Sequence, residues 1–175
     1  MYYKIINILS ILIFLFAFSF VGGQEKEEST ESLKLKLSQS KSEKQKVDLM
    51  NEIASVLRYS QIGKGLEYAE KALESADKIS YKEGSAKSLY NIGALYYYKG
   101  DYKLALEYYN HSKKIYNQLK NKKAASNIES AIGSVYFSLG QYGKALESYN
   151  SALRQYEADH NLVGIAQVKD NIGTL

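Results

Sequence analysis

Forty residues separate each part of this chain from its own likeness. Ile92, Gly93, Tyr96, Gly100, Tyr102, Ala105, Leu106, Glu107, Tyr109, Asn110 and Tyr116 recur as Ile132, Gly133, Tyr136, Gly140, Tyr142, Ala145, Leu146, Glu147, Tyr149, Asn150 and Tyr156. One more step brings Asn171, Ile172 and Gly173 onto Asn91, Ile92 and Gly93. A fixed period of this size marks an array of supersecondary units, none of which can bury its apolar face alone. The function of such an array lies in what its surface binds.

Each unit reads as two helices and a tight turn. Ala86, Leu89, Ile92, Gly93 and Tyr96 fall at helical spacing and make one apolar stripe. Ala105, Tyr109, Ser112, Tyr116 and Leu119 make the next. Between them, Gly100 suits the left-handed residue that ends a helix, and Asp101 is placed to cap the following one. Gly93 falls in mid-helix, where glycine costs about 1 kcal/mol against alanine. The expected compensation is close approach of the second helix at Ala105. Ser80-Tyr81-Lys82-Glu83 reads as a capping box.

On these residues the unit resembles the tetratricopeptide repeat. Leu89, Ile92, Gly93 and Tyr96 match its first helix, and Ala105, Tyr109 and Ser112 its second. Ile132, Gly133, Tyr136, Ala145, Tyr149 and Ala152 repeat the match. The chain departs from the usual pattern in period, forty against about 34, and in having Asn117 and Glu157 where the family's terminal proline stands. The resemblance implies an all-α fold, a right-handed solenoid of stacked antiparallel helix pairs. Residues 43–80 are then a degenerate first repeat, 81–120 the second and 121–160 the third, and 161–175 carry the first helix of a fourth.

The N-terminal segment is a different material. Residues 1–23 combine a short positive start at Lys4, an apolar run from Ile5 to Val21 and a small-residue end, Val21-Gly22-Gly23, the layout of a secretory signal peptide. The rival reading is an uncleaved anchor, although a spanning helix wants about 20 apolar residues. Residues 24–42 are a polar lead-in followed by a short helix, with Leu33, Leu35 and Leu37, that caps the open end of the array. Without cysteine, disulfides and a lipidated thiol are excluded. The expected location is outside the cytoplasm, periplasmic or secreted. The layout also resembles extracytoplasmic sensor regions of bacterial signalling proteins. The alternative function is therefore the sensory N-terminus of a larger membrane protein with a kinase, cyclase or DNA-binding output beyond Leu175. Membrane contact is expected only through an uncleaved leader or such a downstream segment.

Catalytic sets are absent from the sequence. His111 and His160 have no partner at metal-ligand spacing, and Gly63-Lys64-Gly65 and Gly143-Lys144 fall at second-helix starts, where turn chemistry explains them. No enzyme, cofactor or metal is expected. The net charge of +4 includes Lys113, Lys114, Lys120, Lys122 and Lys123 around one helix end, a solvated face and too sparse for a nucleic-acid partner. The recurrent tyrosines, at 96, 102, 109, 116, 136, 142, 149 and 156, are assigned to the packed seam.

In the family the first helices line a concave groove that touches an extended peptide or a partner helix. Carried onto this chain, the candidate binding residues are Asn51, Lys87, Tyr90, Asn91, Tyr97, Tyr98, Asn127, Ser134, Phe137 and Asn171. Asn51, Asn91 and Asn171 resemble an asparagine ladder that holds a peptide main chain, since an amide offers both a donor and an acceptor. The ladder lacks a rung at Ala131. The other reading is that these asparagines bond within the array. Tyr97, Tyr98 and Phe137 supply aromatic anchors. The partner is expected to be a protein or peptide.

Overall fold

The computed structural model describes residues 30–175, so the expected leader (1–23) and the front of the lead-in lie outside the described residues. Among the described residues there is no strand. Helix α1 (30–39) is followed by α2 (Glu43–Leu57), α3 (Ile62–Lys78), α4 (Lys82–Lys99), α5 (Tyr102–Gln118), α6 (Lys122–Ser138), α7 (Tyr142–Ala158) and α8 (Leu162–Gly173). Consecutive helices pack as pairs, α2 with α3, α4 with α5, α6 with α7, and the pairs stack in chain order. No described helix is long and apolar enough to cross a membrane.

Local chemistry sets the turns. Gly100 closes α4 at φ 86°, its N–H bonded to the carbonyls of Tyr96 and Tyr97. Asp101 accepts from the Leu104 N–H at 3.2 Å and caps α5. Asn121 and Asn161 do the same for α6 and α8. The capping box expected at Ser80 does not form: α4 starts at Lys82, its N-cap is Tyr81, and no side chain bonds there. Ser80 is instead the left-handed residue of the turn, at φ 57°, and Lys120 (56°) and His160 (51°) hold the same register. A residue in that conformation precedes the helix by too much to cap it.

The mid-helix glycines are sockets for tyrosine rings. A Cβ on Gly93 would stand 2.7 Å from Tyr109 Cδ1 and 3.2 Å from the Ala105 carbonyl oxygen; on Gly133 it would stand 2.6 Å from Tyr149 Cδ1. The approach of Ala105 is therefore real, but the ring of Tyr109 is what fills the space. Ala105 and Ala145, fully buried, let the second helix come close, and Ser112 donates to the Ala86 carbonyl at 2.6 Å across the same seam. Tyr109, Tyr116, Tyr149 and Tyr156 are buried as the repeat pattern requires. Tyr142 departs from it: 54 % exposed at the start of α7, it lies outside the seam. Leu37 of α1 packs on the Val47, Met50, Ala72 and Ala76 cluster and covers that end of the core, while Leu35 faces solvent.

Candidate functional site

The first helices α2, α4, α6 and α8 carry the concave side. Between α4 and α6 opens a groove of about 470 Å³, floored by Ala94 and Ala131 and walled by Tyr90, Tyr97, Tyr109, Ser130 and Ser134. One end is formed by Arg58, Tyr59 and Tyr98, the other by Lys123, Asn127, Tyr156, Asn161, Val163, Gln167 and Asn171. No aspartate or glutamate lines it.

Polar groups along the walls are held in place from beneath. The Tyr156 hydroxyl donates to Asn127 Oδ1 at 2.8 Å, which leaves the Asn127 amide N–H₂ turned to other partners. Tyr149, from its socket under Gly133, donates to Ser134 Oγ at 3.2 Å. Tyr97 spans the gap, its hydroxyl 3.2 Å from Ser138 Oγ. At the Arg58 end the rings stack edge to face, Tyr59 on Tyr98 at 4.8 Å and Tyr97 on Tyr98 at 5.3 Å between centroids. Partial burial, and then the hydrogen bond with Tyr59, push the Tyr98 phenol up to about 12, against a smaller opposing pull from Arg58. Burial raises Tyr109 further still. Both are neutral hydroxyls at physiological pH.

Of the residues singled out in the sequence, Tyr90, Tyr97, Tyr98, Asn127, Ser134 and Asn171 meet in this groove. Asn51 and Asn91 do not. Asn51 is fully buried and Asn91 is 3 % exposed; the Asn91 amide donates to the Asn51 carbonyl at 2.9 Å and to its Oδ1 at 3.0 Å, and Asn51 donates to the Gly84 carbonyl at 3.4 Å. These two tie α2 to α4 and are removed from the candidate contacts with a peptide. The missing rung at Ala131 falls where α6 faces α4 across the gap, and there Ala131 lines the groove. Phe137 is outside the groove lining; it packs with the core around Tyr149 and places its ring 5.7 Å from that of Tyr142, as Tyr97 does with Tyr102. Lys87 is half-buried and outside the groove lining.

Tyr59, Lys123, Asn161 and Val163 line the groove and were not among the chosen candidates. The register gives a partial signal for two of them. Lys123 and Val163 stand forty residues apart at the second position of their helices, where a side chain can lean over a groove end. Among the described residues no group of three or more His, Cys, Asp or Glu side chains is arranged to hold a metal.

Two tetratricopeptide repeat family models match the sequence, one over residues 48–118 and one over residues 130–159. This chain belongs to the tetratricopeptide repeat family. No curated protein sequence matches it. Among solved structures, the tetratricopeptide domain of Arabidopsis FLU is similar at 21% identity and a TM-score of 0.61, over 67% of this chain and 99% of that one. Aspartyl phosphate phosphatase F from Bacillus subtilis is similar at 17% identity and TM-score 0.68, over 77% of this chain and 38% of that one. A Rap protein complexed with competence and sporulation factor is similar at 22% identity and TM-score 0.59, over 73% and 41% respectively. The chain thus spans less than half of either of these two longer proteins. At such identities the likeness is one of fold.

Proposed function

We propose that this tetratricopeptide array is a non-enzymatic scaffold that holds an extended peptide, or one face of a partner helix, in the groove between α4 and α6. The observation that carries the reading is the groove itself. Half-exposed tyrosines, a pinned asparagine amide and small residues line a concave surface of about 470 Å³, the mixture of apolar area and oriented polar groups that recognition of a main chain requires. The fold-level likeness to a Rap protein complexed with competence and sporulation factor supports a binding role. Peptides selected by display against the chain supply the test. Tyr98→Ser and Asn127→Ala should each weaken them about tenfold, an interface truncation of about 1.4 kcal/mol. Lys114→Ala, on the exposed face of α5, should change nothing. The reverse pattern would move the binding surface to the convex side.

The location outside the cytoplasm belongs to the same proposal, on the layout of residues 1–23. Fractionation of cells expressing the chain should recover it beyond the cytoplasmic membrane, and a cytoplasmic pool with residues 1–23 intact would refute it.

A further inference from the structure

We infer that the groove takes an acidic segment in extended conformation, about nine residues long, with a carboxylate near each end and apolar or aromatic side chains between. This rests on the reading of the groove as a peptide site and adds the chemistry of the ligand. Two cations stand at its opposite corners, Arg58 at the end of α2 and Lys123 at the start of α6, and no carboxylate lines it. Glu83 and Asp170, which share registers with Lys123 and Tyr90, fall outside the lining. None of the ion pairs among the described residues uses either corner cation.

Arg58 is also pre-positioned. Its Nε donates to the Ser55 carbonyl at 2.8 Å, a terminal nitrogen donates to Ser55 Oγ, and the guanidinium lies 5.6 Å from the Tyr59 ring centroid. Two of its five N–H donors are thereby used and the rest stay available in a fixed fork, the geometry that suits a carboxylate. Between the corners the groove presents tyrosine rings and the Asn127 amide donor, which suit apolar side chains and a main-chain carbonyl.

The span follows from the repeat. Two repeat steps carry Lys123 back to Glu43, and the 15 residues of α2 separate Glu43 from Arg58. At a rise of about 1.5 Å per residue that is about 22 Å along the helix axes, and two helix spacings of about 10 Å cross the array. The diagonal is about 30 Å, the length of about nine extended residues at about 3.3 Å each.

Three fluorescein-labelled nonapeptide pools test this on the full chain. They share randomised apolar and aromatic central positions and carry Glu, Gln or Lys at both ends, and binding is read by anisotropy. The Glu pool should bind about tenfold tighter than the Gln pool, a few-fold per exposed ion pair, and the advantage should shrink as salt rises. Arg58→Gln and Lys123→Gln should each remove a few-fold from the Glu pool and bring it nearer to the Gln pool. Lys123 is exposed, so its variant keeps the test valid if Arg58→Gln perturbs the end of α2. Equal binding of the Glu and Gln pools, lost in Tyr98→Ser, would overturn the charge inference and leave the groove reading standing. Binding of no pool would overturn both. Tighter binding of a single-stranded oligonucleotide, competing with the Glu pool, would overturn the choice of a peptide.

Discussion

Replacing Gly133 by alanine sets two effects of the same methyl group against each other. In mid-helix, glycine to alanine favours folding by about 1 kcal/mol. Here the added Cβ would stand 2.6 and 2.7 Å from Cδ1 and Cε1 of Tyr149 and 3.2 Å from its Cγ. The ring cannot retreat easily, because Tyr149 is 2 % exposed and its hydroxyl is bonded to Ser134. Overpacking of this kind costs about 1–3 kcal/mol, and a contact with three atoms of a held ring belongs in the upper half of that range. The net expectation is a loss of about 1.5 kcal/mol, seen as a fall in Tm of about 3–6 °C for a chain of this size. Thermal and urea denaturation followed by circular dichroism measure it. Two comparisons isolate the cause. Gly143→Ala, where the Cβ meets nothing within 4 Å, should be neutral or stabilising. In a Tyr149→Ala background the effect of Gly133→Ala should change sign, giving a coupling of about 2–3 kcal/mol between the two sites. A Gly133→Ala protein as stable as its parent, or additivity in the double variant, would refute the socket account.

Other outcomes follow from the same geometry. Asn91→Ala leaves the buried Asn51 Oδ1 without its donor and should cost about 1–3 kcal/mol; in conditions where the variant is folded, its peptide affinity should equal the parent's. Lys120→Gly relieves a left-handed backbone at φ 56° and should raise stability by about 1 kcal/mol in the same urea titration. Burial raises the phenols of Tyr81 and Tyr116 to about 12 and that of Tyr109 further. Since the unfolded chain then holds fewer protons than the folded one, the stability due to these groups is full below about pH 10 and is lost as pH rises from there through about 12. Absorbance of tyrosinate and helical circular dichroism recorded together should show ionisation of these groups coincident with unfolding, and ionisation of Tyr81, Tyr109 and Tyr116 near pH 10 in a fully helical chain would contradict it.

The period alone made the helix pairs, the Gly100 turn and the tyrosine seam legible, because each depends on residue type at fixed spacing within one unit. The direction of Asn51 and Asn91 was not legible in the same way. A polar residue beside the apolar stripe of a first helix can face the groove or the neighbouring first helix, and the sequence pattern is identical in both cases. Contacts across repeats decide it: the Asn91 amide finds both oxygens of Asn51 on the neighbouring first helix. At Ala131, which lines the groove, the pattern lacks the amide that would repeat this tie. Phe137 shares the register of Tyr97 and the same neighbouring ring, Tyr142 at 5.7 Å where Tyr97 has Tyr102 at 5.7 Å, so its absence from the groove lining follows from its place one repeat further along the array. Ser80 failed as a cap because the serine that looks like an N-cap is taken by the left-handed turn that ends α3.

The most direct test of the groove as the binding surface is a residue map of a bound ligand. Nuclear magnetic resonance spectra of the chain, labelled in tyrosine rings and asparagine amides, would be recorded with and without a display-selected peptide. The account predicts shifts at Tyr90, Tyr97, Tyr98, Asn127 and Asn171, with Asn51 and the stacked pair Tyr96 and Tyr108 unmoved. Shifts confined to Tyr96, Tyr108 and Asn110, with the groove residues unchanged, would contradict it.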